Sequence, residues 1–429
     1  MQNSSLTSLG LIEVTKRQLV DLLNITDTLL CMRTPYDDTQ RAIKQIRIRF
    51  EEHQGRLFSL NEDTEQKIIE NLCLTINMHI YQYLPVLGFL LRSTNIRNAF
   101  EARGPLLELA RKCLGEQSVG MIISSDWSFS PYAQSPSDKD FVMIGMPAHA
   151  SSNSFLYSLA GHELGHSLWA RENYKKDFEN ELSVNAQELL VLPEFTEFAR
   201  QSTGFIDVES LNPEDIFTLS SLTKLVDWSL KQTQEVFCDF VGLWLFGEAY
   251  LFAFTYYLSA FQHVGQRSVE YPTIQQRANY ILQASKEYFP EFTDEITGQF
   301  TSLCCSGEEP SKTIEANLAD TLTESVVNKA LTEVKTLLTE RGVGRPQGDR
   351  IERCVECFSD LMPPESDVSF AEILVAGWKT LLEKDKLVDF SDKKESILNE
   401  VVLKSFELLE ISYLLKPELL TAGDNNGNS

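Results

Sequence analysis

His162-Glu163-Leu164-Gly165-His166 is the stretch that decides how this chain is read. It spells H-E-x-x-H. On a helix, positions i and i+4 lie one above the other, so His162 and His166 can grip one metal ion from a single face. Glu163 stands beside that face, where a carboxylate can hold a water and take its proton. Apart from Glu163, the segment Leu159 to Trp169 carries no charged side chain, as expected of a helix buried through a domain. Only six histidines occur in 429 residues, so chance is a poor explanation of the spacing.

Upstream of the motif, Asn153 and Ser154 offer N-cap chemistry for a helix starting near Ser154. Val119 to Ser124 and Phe141 to Met146 are short β-branched or apolar runs that predict two strands joined by a long polar loop. The second run, Phe141 to Pro147, reads equally as a sheet edge open to an extended peptide or as a core strand. Residues from about 12 to 115 read as helical, with apolar residues at three-to-four spacing as in Ile68, Ile69, Leu72 and Ile76. Breaks are expected at Thr34 to Asp38 and near Pro85.

Downstream, an acidic helical stretch runs from about Lys176 to Gln201, and Asn212-Pro213-Glu214-Asp215 reads as a turn into another helix. Val226 to Phe261 predicts one long helix or two abutting ones. Cys304 to Lys312 looks like a linker, and 313–418 reads as amphipathic helices with loops at Gly342 to Gly348 and Pro363-Pro364. The expected division is an N-terminal helical region (1–115), a domain carrying the motif (116–300), a C-terminal helical region (311–420) and a disordered tail (421–429). The fold class expected is α+β, predominantly helical, with a small sheet.

A hydrophobic content of 43% and a charged content of 23% are ordinary globular values. The net charge of -24 repels phosphates at long range and excludes nucleic acid or an anionic membrane surface as partners. The amino terminus shows no basic region followed by an apolar core, so no secretory signal is read there. Eight cysteines are scattered without the density of a disulfide scaffold, which predicts a reducing, cytoplasmic setting. Cys354 and Cys357 form a C-x-x-C with no second pair at zinc-ribbon spacing, and read as two ordinary cysteines one helical turn apart. Phe240 to Phe261 has Glu248 as its only charge and meets the length of a membrane span. Its interruptions at Gly242, Gly247, Thr255 and Ser259, and the lack of a flanking basic cluster, favour a helix buried in a large domain.

A catalytic zinc usually has three protein ligands and an open fourth position. The position six residues beyond His166 is Glu172, not a third histidine, which excludes the metzincin arrangement. Glu235, in Glu235-Val236-Phe237-Cys238-Asp239, is the better candidate: Glu and Asp four apart on a helix share a face. Glu235 would bind zinc while Asp239 accepts a hydrogen bond from the far nitrogen of a ligating histidine. Both acids lie in an otherwise apolar stretch, where an unpaired charge is costly. Glu181 and Glu188 stand at spacings also used for a third ligand, but in a stretch (Lys175 to Glu188) dense with charge and amides that reads as a solvated face. His149 and His263 have no motif partner and read as loop histidines.

These residues resemble the gluzincins, and within them the clan of the CAAX prenyl proteases and heat-shock membrane peptidases. That clan combines HExxH with a distant E-x-x-x-D, matched here by His162, Glu163, His166, Glu235 and Asp239. The similarity extends to Tyr271-Pro272 and Arg277, where the clan often shows His-Pro followed by Arg, and covers about residues 140 to 282. Tyr271 stands in place of the histidine linked to the transition state, and flanking membrane spans are absent. The resemblance implies a zincin-like domain, one zinc per chain and a soluble peptidase acting on a peptide or protein. Glu163 would be the general base, Tyr271 the oxyanion donor and Arg277 the residue holding that segment. The alternative is a non-catalytic or latent zinc-binding protein acting through its helical flanks as an interaction module.

Overall fold

The computed structural model describes residues 3–415 except 33, 35, 61–63, 96–99, 127–130, 135–139, 148–152, 204–214, 259–267, 293–295, 299, 302–312, 366 and 383–393. Its contacts divide the chain into two units. The first is Met1–Arg103 with Ser118–Ser151, and the second is Gly104–Gln117 with Ser152–Ser429. The molecule is predominantly helical with one small sheet. No helix among the described residues is long and apolar enough to cross a membrane.

Among the described residues, the first unit holds α1 (Asn3–Leu30), α2 (Asp37–Phe58), α3 (Gln66–Asn95), the start of α4 (Phe100–Leu114) and all three strands. In α2, Ala42, Ile43, Ile46, Phe50 and Leu57 recur at three-to-four spacing and are buried. With Leu19 of α1 and Ile76 and Phe89 of α3 they form a core that also takes in Ile122, Phe141 and Met143 of the sheet. Burial of these apolar side chains against α2 and α3 groups the strands with the N-terminal helices rather than with the H-E-x-x-H segment, unlike the division read from sequence. Asp38, in the first turn of α2, pairs with the buried Arg103 and accepts a hydrogen bond from Met121 N at 3.1 Å.

Strand β1 (Gly120–Asp126) runs parallel to β3 (Phe141–Pro147), in register from Gly120 opposite Phe141 to Asp126 opposite Pro147. The two-residue β2 (Tyr132–Ala133) pairs antiparallel on the other side of β3, with Tyr132 opposite Gly145. β3 is therefore the middle strand and is buried throughout. Of the two sequence readings of Phe141 to Pro147, the core strand holds: its edges at Ile144 and Gly145 are already taken by β1 and β2, which leaves a peptide no free ladder there. Pro85 does not break α3. Proline removes one backbone donor, and the carbonyl left without it belongs to Tyr81, a residue 72% exposed, where water can satisfy it.

The second unit is built around α8 (Ile216–Phe246). Asp215 caps it, its carboxylate accepting from Phe217 N and Thr218 N. The helix expected after Asp215 and the one read from Val226 are thus a single continuous helix. From Val236 to Phe246 every residue is buried, because α5 (Ala160–Arg171) lies on one side and α11 (Ile314–Glu340) on another. Trp169 of α5 stacks on Phe178 of α6 (Tyr174–Asn185) and meets Phe237 of α8 edge-on, with centroids 5.2 and 5.3 Å apart.

The long apolar run Phe240 to Phe261 is cut at Gly247, whose φ of 51° and ψ of -128° end α8 before α9 (Glu248–Leu258) starts. Its last residues, and His263, lie outside the described residues, as do His149, the turn at 212–214, the linker at Cys304 to Lys312 and the tail. The unit continues with α7 (Pro193–Thr203), α10 (Ile274–Tyr288), α12 (Gly348–Ser359), α13 (Phe370–Leu382) and α14 (Lys394–Leu414). Cys354 and Cys357 sit one turn apart on α12 as free thiols.

Candidate metal centre

Two helices meet backbone to backbone to form the site. A Cβ on Gly165 would lie 2.7 Å from Cys238 Cα, and one on Gly161 2.9 Å from Gly242 Cα. Glycines one turn apart on α5 thus face small residues one turn apart on α8, and the side chains beside this seam are brought to ligand distance. The turn Ser154–Leu159 leads into α5, with the Asn153 side chain accepting from Phe155 N.

His162 and His166 lie one turn apart on α5, their rings edge-on with centroids 4.9 Å apart. Both present Nε2 to one carboxylate of α8: His162 Nε2 is 3.3 Å from Glu235 Oε2, and His166 Nε2 is 3.7 Å from Glu235 Oε1. A tetrahedral zinc with bonds of about 2.0–2.2 Å separates its ligand atoms by about 3.3–3.6 Å. His162 and Glu235 stand at such a separation, and His166 and Glu235 slightly beyond it. The opposite nitrogens are occupied as well. His162 Nδ1 is 2.9 Å from Asp239 Oδ1, and His166 Nδ1 is 3.0 Å from the side-chain amide of Gln234.

Asp239 is 1% exposed and gathers three partners. Besides His162, it accepts from Arg277 (Nε to Oδ2 2.7 Å, Nη2 to Oδ1 2.6 Å) and from Tyr250 Oη at 2.7 Å. The fork geometry of the arginine matches the carboxylate edge and fixes its rotation. Arg277, from the first turn of α10, therefore holds Asp239, and its Nη1 reaches to 3.9 Å from Glu235. Tyr271 lies on the turn before α10, 52% exposed; its phenol is pushed up by partial burial and by the Glu235 charge.

The electrostatics follow from these contacts. Burial lowers the His162 imidazole, but the hydrogen bonds it donates to Asp239 and Glu235 outweigh it and raise it to about 10. Burial and the neighbouring His162 charge lower His166 to about 4. Against burial, His162 and Arg277 hold Glu235 down to about 2 and Asp239 well below its ordinary range. Without a metal His162 is thus held as the imidazolium, and a metal ion must displace its Nε2 proton, leaving the one on Nδ1.

Cys238 complicates the donor set. Its thiol lies within 4.8 Å of the two imidazoles, so that His162, His166 and Cys238 form a buried group that could hold a metal ion. Glu235 is the other candidate donor: its Oε2 lies at a tetrahedral edge distance from His162 Nε2, and its Oε1 slightly beyond one from His166 Nε2. The Cys238 thiol is pushed well above its ordinary value by burial and by the charges of Glu235, Glu163 and Asp239; a metal ion held at the two imidazoles would oppose that shift.

Of the residues singled out by sequence, His162, Glu163, His166, Glu235, Asp239 and Arg277 come together; Glu163 is 5% exposed on α5. Glu181 is paired with Lys329 at 2.5 Å, and Glu188 is exposed. Cys238 escaped the sequence reading although it shares a helix face with Glu235 at i+3, a signal that was there to use. Tyr250 gives no such signal, since it reaches Asp239 only across the break at Gly247. No protein-family model, curated protein or solved structure matches this chain.

Proposed function

We propose that this chain is a zinc-dependent metallopeptidase with a zincin-like catalytic unit, hydrolysing a peptide or protein substrate in a reducing compartment such as the cytoplasm. The observation that carries the reading is the convergence of His162 Nε2 and His166 Nε2 on Glu235, with the buried Asp239 behind His162. A zinc ion held by these three residues would act as Lewis acid on the scissile carbonyl and on a water beside it. Glu163 takes the proton from the attacking water and delivers it to the leaving amine nitrogen. Asp239 keeps the His162 proton on Nδ1 so that Nε2 is free to ligate, and Arg277 and Tyr250 keep Asp239 in place. Tyr271, half-exposed and within the influence of the Glu235 charge, would donate its phenolic hydrogen to developing negative charge. Tyr271→Phe is then expected to lower kcat with little change in KM; a variant that changes only thermal stability would make it a packing aromatic.

Cys238 favours a second reading, a non-catalytic or latent zinc protein. With its thiolate as fourth ligand the shell would be closed, as in structural sites. One measurement separates the two. Protein purified without chelators is expected to hold close to one zinc per chain by elemental analysis. X-ray absorption should show nitrogen and oxygen ligands at about 2.0–2.2 Å and no sulfur at about 2.3 Å. A sulfur shell would carry the closed site instead, and protein that ignores added zinc would remove both readings.

A further inference from the structure

We propose that Gln234 is the positioning residue of His166, and that its amide serves this imidazole in both tautomers, donating to Nδ1 before metal binds and accepting from Nδ1–H once Nε2 is a ligand. The inference rests on the metal site argued above. The two histidines have outer partners of different chemistry. Behind His162 stands a carboxylate, which can only accept, so Asp239 holds that ring in the Nδ1–H form whether or not a metal is present. Behind His166, 3.0 Å from Nδ1, stands an amide, which can donate through nitrogen or accept through oxygen.

Both states need it. In the metal-free protein a neutral His166 with its proton on Nε2 faces Glu235 Oε1 at 3.7 Å, and Nδ1 is then an acceptor that the Gln234 amide nitrogen satisfies. When Nε2 becomes a ligand the proton must sit on Nδ1. A half-turn of the terminal amide then presents its carbonyl oxygen, leaving the backbone of α8 where it is. No net proton is gained or lost by His166 in the exchange. Gln234 also adjoins Glu235 in sequence, so the partner of His166 and the shared carboxylate move as one rigid helical unit.

The test compares zinc affinity, by chelator competition, in the full chain carrying Gln234, Gln234→Leu or Gln234→Glu. Gln234→Leu supports neither tautomer and is expected to weaken zinc binding about tenfold. Gln234→Glu can only accept; it is expected to tighten binding by about three- to tenfold and to slow release to the chelator. In zinc-loaded, nitrogen-15-labelled protein, the hydrogen-bonded Nδ1–H signal of His166 should persist in Gln234→Glu and vanish in Gln234→Leu, while that of His162 stays in both. A residue that merely packs would leave the His166 Nδ1–H signal unmoved in Gln234→Leu. Zinc affinities of both variants equal to that of the parent, or an unchanged His166 signal in Gln234→Leu, would overturn the inference. A parent protein that takes up no zinc would instead bring down the metal site itself. If Gln234→Leu fails to fold, the His166 Nδ1–H signal in zinc-loaded Gln234→Glu decides the matter: its persistence is expected, and its absence would overturn the inference, since a carboxylate that attracts zinc only by its charge leaves that proton unbonded.

Discussion

Glu163→Gln is expected to lower turnover by about 10²–10⁴-fold, the range of a lost general base, with zinc content and thermal stability unchanged. The amide keeps the shape of the carboxylate in a position only 5% exposed but cannot take a proton from water. Substrate binding should change little, so the loss falls on kcat rather than KM. Comparing new protein amino termini in cells expressing the parent and the Glu163→Gln form supplies the substrate, and steady-state kinetics on the peptide so found gives the magnitude. Parental turnover in the variant would end the proposed mechanism.

Glu235→Ala is expected to weaken zinc binding by more than about a hundredfold, beyond the effect of losing an outer partner. Its carboxylate alone meets both Nε2 atoms. Asp239→Asn, which keeps shape but loses charge, should cost about ten- to a hundredfold. Glu181→Ala and Glu188→Ala should cost nothing, because one is paired with Lys329 and the other is exposed. Cys238→Ala is the informative comparison. If it keeps zinc while Glu235→Ala loses it, the ligand set stands. The reverse result makes the thiol the third ligand in place of Glu235, and loss of zinc in both variants makes it the fourth ligand of a closed site.

The parts of this molecule legible in sequence are those whose signal is local. H-E-x-x-H and Glu235…Asp239 each declare a helix face within five residues, and the structure brings both to one place. The helical character of the flanks came from periodicity in the same way. What stayed hidden depends on contacts distant in sequence or on solvent. Nothing in Phe141 to Pro147 shows that β1 and β2 would occupy both its sides, since a strand's neighbours are chosen by tertiary packing. Pro85 reads as a break, yet an exposed helix face tolerates it because water replaces the missing partner. Gln234 is visible as a residue but mute as a role, because only the helix crossing puts His166 within its reach.

The seam of Gly161 and Gly165 against Cys238 and Gly242 has a thermodynamic corollary. The proposed ligands are divided between α5 and α8, so unzipping that seam and surrendering the ion are a single event. Zinc would then behave as a clip whose strength is set by its free concentration. At a hundred times its dissociation constant it would add about 2.7 kcal/mol to the folded state, and at equal concentrations well under 1 kcal/mol. The half-life of this protein against unfolding would become a readout of cellular zinc supply, even in a molecule that never meets its substrate.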